Sequence, residues 1–307
     1  MQHITARDQV RTILIRDIAP LFADADIGTQ RAVLDGMGAE AEMPAGLLVE
    51  RTAIAGVPVE RLMLAGQAQR VVLFVHGGAF VMGSCNSHRA LCARLSVACN
   101  AEVILPEYRL APEHPFPAGL EDLVQVYASL LEGGLRADEI VVAGDSAGGN
   151  LALSTVLLAR DRGLPMPRAL VLLSPFTDLT LTGASLVTHA EIDPWLRPQA
   201  VPVVRDTYLG GADPSHPLAS PLWADLHGLP PMLIHVGEQE ILLADSTRLA
   251  ERASDAGVEV EIEVGKDLWH VWHLFAPALP EANEAIARIG DFVDRVFTPP
   301  IQLRSCG

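Results

Sequence analysis

The segment best suited to covalent chemistry is a serine bracketed by two glycines, Gly144-Asp145-Ser146-Ala147-Gly148. A short apolar run ending at Val142 precedes it, and a helix-forming run from Asn150 to Arg160 follows at once. Strand, sharp turn and helix in this order predict a G-x-S-x-G nucleophile elbow, in which glycines on both sides leave room for a serine in a strained turn. Because roughly one chain in ten of this length contains such a pattern by chance, the prediction needs support from partner residues.

A second glycine-containing segment, FVHGGAF at residues 74–80, begins in the apolar strand 71–75 and then turns into two glycines. Backbone amides approach a ligand closely only where side chains are absent, which is what an oxyanion hole requires. We expect the amides of Gly78, Ala79 and Ala147 to be its donors, with Gly77 shaping the turn. The alternative is a simple turn at the end of a strand.

A serine nucleophile needs a general base and an acid that orients the base. His270 lies in the loop between the last predicted strand and the final helix, where we expect a general base. Carboxylates follow the strand 231–236 in GEQEILLAD at residues 237–245, at the carboxyl edge of the sheet where such sites gather. We expect two other histidines to be structural: His76 bracing the glycine loop, and His273 packing on the following helix or lining a pocket.

The elements that must position these residues alternate along the chain. Strands are predicted at 47–53, 57–64, 70–75, 102–106, 139–143, 169–173, 231–236 and 258–264, and helices at 7–22, 87–99, 117–132, 149–162, 244–256 and 281–297. From residue 70 onward this alternation predicts an α/β fold with parallel strands and crossover helices. Gly56, between the first two strands, predicts an antiparallel hairpin at a sheet edge.

Two regions depart from this alternation. Residues 22–46 are polar and contain glycines, and residues 178–230 are rich in proline and show no clear strand. An insertion of the second kind in a compact domain is usually a functional lid or cap.

Composition limits the function classes. The chain has 307 residues, of which 50% are hydrophobic, so it can bury a large core. A net charge of -16 without a basic cluster argues against nucleic acid and acidic membranes as partners. No apolar run is long enough to span a bilayer, and the N-terminal sequence has no apolar signal core, so we expect a cytoplasmic protein.

The four cysteines indicate no metal site. Cys85, Cys92 and Cys99 recur every seven residues, which places them near one face of a helix, and Cys306 stands apart. No CxxC pair completes a zinc pattern, so we expect reduced thiols on a partly buried helix face.

Together these motifs resemble the bacterial hormone-sensitive-lipase-like carboxylesterases of the α/β-hydrolase superfamily, over about residues 45–297. The resemblance rests on HGGAF at 76–80, YRLAPEHPFP at 108–117, GDSAGGN at 144–150, SPL at 220–222 and GLPP at 228–231. It implies an α/β-hydrolase fold: a mostly parallel eight-stranded sheet flanked by helices, with a helical cap. The catalytic domain would comprise residues 46–177 and 231–307, and the cap would comprise residues 1–45 and the insertion 178–230.

The resemblance also implies the site residues. Ser146 matches the nucleophile, His270 the general base, and Gly77, Gly78, Ala79 and Ala147 the oxyanion hole. The family's acid pattern G-x-x-D-x-L-x-x-D falls on residues 237–245, so Glu240 replaces the usual aspartate.

Other acidic residues receive lesser roles. Glu238 is a weaker candidate for the acid. We expect Asp245 to cap the helix that follows it, and Asp145 to be a structural partner of the elbow.

Ala79 stands in place of a family glycine, but an oxyanion hole uses its amide and not its side chain.

The implied reaction is serine hydrolysis of small-molecule esters with short to medium acyl chains, through an acyl-enzyme and without a metal or organic cofactor. The resemblance makes a homodimer reasonable. The candidate pocket walls are Met37, Trp195, Leu196, Val203 and Tyr208.

Two alternative functions stay open. One is an amidase or deacetylase of a small metabolite. The other is a non-catalytic small-molecule receptor, because plant gibberellin receptors resemble the same family but lack the catalytic histidine.

Overall fold

An eight-stranded β-sheet forms the centre of the protein. A computed structural model describes residues 4–22, 25–39, 41–67 and 69–298, so Cys306 and the outermost residues of the predicted segments 1–45 and 231–307 lie outside the described ranges. The strands are β1 (Leu48–Ile54), β2 (Val57–Met63), β3 (Val71–Val75), β4 (Glu102–Pro106), β5 (Ile140–Asp145), β6 (Ala169–Leu173), β7 (Met232–Gly237) and β8 (Val260–Gly265). Their order across the sheet is β1-β2-β4-β3-β5-β6-β7-β8.

Most strand pairs are parallel. Among the strands of the described residues, β1 pairs with β2 and β2 with β4 antiparallel, and the other five pairs are parallel. The predicted α/β class and mostly parallel sheet are therefore confirmed. The hairpin predicted at Gly56 is present too, because Ile54 pairs with Val57 across a two-residue turn. Ala55 and Gly56 both have positive φ, at 53° and 80°, and such a turn matches the twist of the two strands that it joins.

Helices cover both faces of the sheet. They are α1 (Ala6–Ile13), α2 (Ala19–Phe22), α3 (Ile27–Ala39), α4 (Cys85–Ala98), α5 (Ala118–Glu132), α6 (Ala147–Asp161), α7 (Ser185–Thr188), α8 (Val201–Leu209), α9 (Leu243–Asp255) and α10 (Pro280–Phe297). Buried side chains of α5, α6 and α9 share one core cluster, and those of α4 and α10 share the other.

The alternation of side chains along a strand explains the two clusters. In β3, Val71, Leu73 and Val75 face the first cluster, while Val72 and Phe74 face the second. A strand covered on both faces reads as a continuous apolar run, as β3 and its parallel neighbours do. In the described residues, no helix has the length and apolarity needed to cross a membrane.

The N-terminal region differs from the sequence prediction. The helix predicted at 7–22 contains a wider π-helical turn at Leu14–Ile18. Residues 27–39, which read as a polar stretch, form α3. Its glycines weaken the helix signal in the sequence, but Gly38 lies so close to the backbone of Asn86 and Ser87 that a Cβ atom would collide with it. Packing against α4 therefore explains a glycine that propensity alone counts against a helix.

The sheet brings the motif segments together. Parallel strands end at the same edge, so the segments after β3, β5, β6, β7 and β8 lie next to one another. The insertion 178–230 contains α7, α8 and a 3-10 turn at Pro221–Trp223, and it has no strand, as predicted.

Candidate active site

Ser146 lies at the sharp turn between β5 and α6. Its backbone has φ 53° and ψ -121°, which a non-glycine residue rarely adopts. Two contacts with the end of β6 and the loop after it hold this turn: the Ser146 amide donates to the carbonyl of Leu173 at 2.8 Å, and the Ser146 carbonyl accepts from the amide of Phe176 at 3.0 Å. The serine is half-buried, with its neighbours in the elbow fully buried.

The glycines on either side of the serine are required by close backbone approach. A Cβ atom at Gly148 would collide with the carbonyls of Val75 and His76, and one at Gly144 would collide with the backbone of Gly148. The elbow therefore packs directly against the end of β3, as the sequence pattern indicates.

His270 reaches the serine from the loop after β8. Its Nε2 atom lies 2.9 Å from the Oγ atom of Ser146, within hydrogen-bond distance, and the imidazole is buried. Burial alone would lower the pKa of His270, but contact with Glu240 and the nearby charge of Asp193 outweigh it and leave the pKa above its ordinary value. The geometry allows a proton to pass from Oγ to Nε2.

Glu240 lies on the other side of the imidazole. Its Oε2 atom is 3.7 Å from Nδ1 of His270, and the side chain is fully buried. The same oxygen accepts hydrogen bonds from the Ser174 hydroxyl at 2.8 Å and from the Gly237 amide at 3.2 Å. The structure thus places the three predicted triad residues, Ser146, His270 and Glu240, in one row.

The other two carboxylates of this loop lie elsewhere. Glu238 is exposed and accepts a hydrogen bond from the amide of Asp267. The predicted cap role of Asp245 is wrong: α9 begins at Leu243, and Asp245 lies inside its first turn. Its carboxylate instead accepts from the amides of Thr177 and Asp178, because this buried helix end packs against the loop after β6.

The glycine loop after β3 borders the serine. The amide of Gly77 donates to Oδ1 of Asp145 at 2.8 Å, so Gly77 shapes the loop and its amide is occupied. Gly78 and Ala79 have φ of 121° and 56°, and both line the cavity in front of Ser146. Among the described residues, their amides donate to no protein acceptor, which leaves them free to bind a substrate oxygen.

A buried carboxylate and two histidines support this loop. Oδ1 of Asp145 lies 3.2 Å from Nε2 of His88, and both side chains are buried. Burial alone would raise the pKa of Asp145, but His88 and the Gly77 amide outweigh it and hold that pKa below its ordinary value. His76 stacks on Tyr108 at 4.3 Å between ring centroids and contacts the Gly77 carbonyl at 2.8 Å. The bracing role predicted for His76 and the structural role predicted for Asp145 agree with these contacts.

His273 does not line the cavity. It is buried beside β7, where its Nε2 atom lies 3.1 Å from Nδ1 of His235, and it packs against Trp272. Burial lowers the pKa of His273 well below its ordinary value, so the ring is uncharged at neutral pH.

A cavity of about 770 Å³ opens in front of Ser146 and His270. Its walls are mostly apolar and include the side chains of Phe22, Ile27, Leu34, Met82, Trp195, Leu196, Val203, Val204 and Leu274. Of the proposed pocket walls, Trp195, Leu196 and Val203 line it, while Met37 does not. Tyr208 instead stacks on Phe80, with ring centroids 3.8 Å apart.

Two residues near the site were missed by the sequence analysis. Ser174 links Glu240 to the amide of Val271. Asp193 accepts from the amides of Trp195, Leu196 and Ile241, each at 2.9 Å, and so joins the insertion to the loop after Glu240. Ser174 follows a strand and Asp193 follows a turn, and each comes directly before a proline. A polar residue followed by proline at such a place is the one signal in the sequence that could have found them.

Comparison with known proteins agrees with this architecture. Residues 72–274 match the model of a family described as alpha/beta hydrolase fold. An acetyl-hydrolase from Streptomyces hygroscopicus is 43% identical over 229 residues, which cover 75% of this chain and 77% of that protein. A putative acetyl-hydrolase, LipR, from Mycobacterium tuberculosis is 34% identical over 92% of both chains. The crystal structure of an esterase from the bacterial hormone-sensitive lipase family superposes with a TM-score of 0.93, at 39% identity, over 97% of this chain and all of that one.

Proposed function

The chain belongs to the alpha/beta hydrolase fold family, in its hormone-sensitive-lipase-like branch, and hydrolyses ester bonds; we propose that Ser146 is the nucleophile, His270 the general base and Glu240 the acid that orients the base. The observation that carries this proposal is the 2.9 Å contact between Ser146 Oγ and His270 Nε2, made by residues 124 positions apart in the chain. A receptor on the same fold would need no such contact, so it argues for catalysis.

The first half of the reaction forms an acyl-enzyme. Nε2 of His270 takes the proton from Oγ of Ser146 as Oγ attacks the ester carbonyl carbon. The amides of Gly78, Ala79 and Ala147 donate to the oxygen that becomes negatively charged. The carbon–oxygen bond to the alcohol then breaks, and the alcohol leaves with the proton held by His270.

The second half releases the acid. A water molecule gives its proton to His270 and attacks the acyl carbon, the bond to Ser146 breaks, and Oγ recovers the proton. In both halves Glu240 holds the imidazole with Nδ1 protonated, so that Nε2 is free to accept. Its negative charge also stabilises the imidazolium that forms.

We assign short to medium acyl esters as the substrate class. The support is the size and lining of the cavity: about 770 Å³ with mostly apolar walls accommodates a small ester and buries its carbon chain. Burial of each methylene is favourable by about 0.8 kcal/mol, so affinity should rise with chain length until the cavity is full.

The division into catalytic domain and cap is also part of the proposal. Residues 1–45 and 178–230 would form the cap, and residues 46–177 and 231–307 the catalytic domain. The cavity has walls from both cap segments, with Phe22, Ile27 and Leu34 from the first and Trp195 and Leu196 from the second.

Arg31 joins the first cap segment to residues that follow the glycine loop and to residues that follow β4. From α3 its guanidinium donates to the carbonyls of Val81 and Ala111, at 2.8 and 3.1 Å, and to the carboxylate of Glu113. This set of contacts fixes α3 over the cavity.

A p-nitrophenyl ester series from acetate to palmitate tests the substrate class. We expect kcat/KM to peak at an acyl chain of intermediate length and to fall for long chains, with Ser146→Ala inactive throughout. A rate that keeps rising to palmitate contradicts the proposed acyl preference.

A deacetylase or amidase role is the second candidate, favoured by the acetyl-hydrolase name of the Streptomyces relative. The triad chemistry serves esters and amides alike, so rates decide between them. Matched acetyl and butyryl esters and anilides, compared in one buffer, should show faster hydrolysis of the esters; faster hydrolysis of the anilides would favour the amidase.

We further propose that the protein acts in the cytoplasm as a homodimer. Cys85, Cys92 and Cys99 are buried free thiols, which suits a reducing compartment. Strand β8 is an edge of the sheet, and its Ile262 and Val264 side chains are 40% and 45% exposed. No strand of the described residues pairs with its outer side, so this edge could pair with a second copy. Light scattering and cell fractionation test the two statements.

A further inference from the structure

The end of β6 contacts all three segments of the proposed triad. Strand β6 lies between β5, which leads to Ser146, and β7, which leads to Glu240. Leu173 and Phe176 contact the backbone of Ser146, as described above. Ser174 lies between those two residues and is fully buried.

The Ser174 hydroxyl makes two hydrogen bonds that are compatible with each other. It donates to Oε2 of Glu240 at 2.8 Å and accepts from the amide of Val271 at 3.1 Å. A hydroxyl has one proton to donate and lone pairs to accept, so both bonds form at once. Val271 directly follows His270 in the chain, and the hydroxyl therefore joins the carboxylate to the turn that carries the imidazole.

The two residues joined by the hydrogen bond from the Val271 amide to the Ser174 hydroxyl both have an unfavourable backbone conformation. Ser174 has φ 47° and Val271 has φ 44°, the left-handed region that β-branched residues such as valine strongly avoid. Residues in this region persist only where surrounding contacts hold them, and they cluster at functional sites. The bond from the Val271 amide to Ser174 is such a contact.

We propose that Ser174 is a positioning residue, whose hydroxyl fixes Glu240 and the His270 turn relative to each other so that imidazole and carboxylate keep their alignment through both halves of the reaction. The proposal rests on the proposed function and deepens it, because it concerns the same site. Ser174 touches neither substrate nor Ser146 Oγ in this role and acts through its two partners.

Two substitutions of Ser174 separate positioning from stability. Ser174→Ala and Ser174→Gly both remove the hydroxyl, but glycine adopts φ 47° without strain and alanine does not. We expect Gly to be the more stable of the two and kcat to fall in both by about 100-fold, the cost of a small misplacement of catalytic groups. KM should change little. If Ala fails to fold, the Gly variant carries the test.

A double-mutant cycle shows whether Ser174 acts through Glu240. In a Glu240→Ala background the carboxylate is already absent, so Ser174→Gly should cost much less in kcat than it does in the wild type. A merely structural role predicts equal losses in both backgrounds.

The pH profile is a second readout that a structural role would not move. Fixing Glu240 near His270 helps to keep the pKa of the imidazole high. We therefore expect the acidic limb of kcat/KM to move to lower pH in Ser174→Gly. Ser96→Ala is the matched control. The Ser96 hydroxyl is also fully buried, donates to the carbonyl of Ala101 at 2.8 Å and accepts from the side-chain amide of Gln67 at 3.1 Å, so its loss should lower Tm and leave kcat and the pH profile unchanged.

The outcomes separate this proposal from the function beneath it. If Ser146→Ala retains activity, both are overturned. Two results would overturn the role of Ser174 alone, provided that Ser146→Ala is inactive. In the first, folded Ser174→Gly keeps the wild-type kcat; in the second, Ser174→Gly lowers kcat by the same factor in the wild type and in Glu240→Ala.

Discussion

Nδ1 of His270 lies 3.7 Å from Oε2 of Glu240, longer than a hydrogen bond. Within the described residues, Nδ1 and the second carboxylate oxygen, Oε1, are both buried without a hydrogen-bond partner. A buried polar group without a partner costs about 1–3 kcal/mol, so a hydrogen bond between the Glu240 carboxylate and Nδ1 of His270 would relieve that cost for both. Glutamate is one methylene longer than aspartate, so we expect a small rotation of the Glu240 side chain to bring it within hydrogen-bond distance of the imidazole. We expect this contact to shorten when His270 becomes protonated during the reaction.

The first prediction concerns which carboxylate is the acid. Glu240→Gln should lower kcat by several orders of magnitude, roughly the 10⁴-fold known for removing the orienting charge from another serine hydrolase triad. Glu238→Gln, on the exposed side chain two residues away, should change kcat by less than about twofold, as surface changes usually do. Steady-state kinetics on p-nitrophenyl butyrate measure both; a larger loss from Glu238→Gln would show that the acid is assigned wrongly.

The second prediction is the pH dependence. His270 accepts a proton only when neutral, and its pKa lies above the ordinary value of 6.5. Activity should therefore be full above this pKa and fall as the pH drops through it. In Glu240→Gln the contact that raises the pKa is lost while burial remains, so the acidic limb should move to lower pH.

Profiles of kcat/KM between pH 5 and 9 check this second prediction. A wild-type profile that stays flat down to pH 5 excludes a histidine base. An acidic limb at the same pH in Glu240→Gln and the wild type would mean that Glu240 does not act on the imidazole.

Much of this arrangement follows from the sequence because it depends on local patterns. Apolar runs bounded by turn residues give the strands, and the glycines around Ser146 are explained by backbone contacts that forbid a Cβ atom. The order of motifs along parallel strands then places Ser146, Glu240 and His270 at one edge of the sheet.

Other features depend on tertiary contacts and could not be predicted in the same way. Helix α3 forms despite its glycines because Gly38 packs on α4. Asp245 looked like a helix cap, but its partners, Thr177 and Asp178, lie 68 and 67 residues away. Only the proline that follows Ser174 marks it in the sequence, since its importance comes from two partners on different loops.

The third prediction concerns the wall of the cavity. Trp195 lines the cavity, and its ring meets that of His270 edge-on, with centroids 6.2 Å apart. Such a contact is worth about 1 kcal/mol, or roughly a fivefold change in rate, so Trp195→Ala should lower kcat/KM on p-nitrophenyl butyrate by about that factor or more.

Trp223 provides the matched control for that substitution. It is 42% exposed, lies beside Arg248 and Arg252 and does not line the cavity, so Trp223→Ala should leave kcat/KM unchanged. Equal losses in the two variants would mean that the effect of Trp195 is a general loss of stability and not a property of the cavity.

The fourth prediction links Asp245 to stability. Burial, together with the charge of Asp178, raises the pKa of Asp245 to about 7. A carboxyl with a raised pKa in the folded state stabilises the protein fully below its unfolded pKa, and that contribution is lost as the pH rises through the folded pKa. The asparagine in Asp245→Asn does not titrate. The difference between the Tm of this variant and the Tm of the wild type should therefore be more favourable to the variant at pH 8 than at pH 5.

Thermal melts at the two pH values measure this difference. Asp255→Asn, an exposed position on the same helix, is the control and should show the same Tm difference at both. An Asp245→Asn effect that is independent of pH would mean that the carboxyl is ionised throughout this range.

The most direct test of the account is the covalent chemistry of Ser146. The folded protein is treated with a fluorophosphonate and analysed by intact-mass and peptide mass spectrometry, alongside Ser146→Ala and His270→Ala. We predict one adduct per chain, located on Ser146, absent in Ser146→Ala and formed several orders of magnitude more slowly in His270→Ala. An adduct on another residue, or equal labelling with and without His270, would contradict the proposal that His270 activates Ser146 for ester hydrolysis.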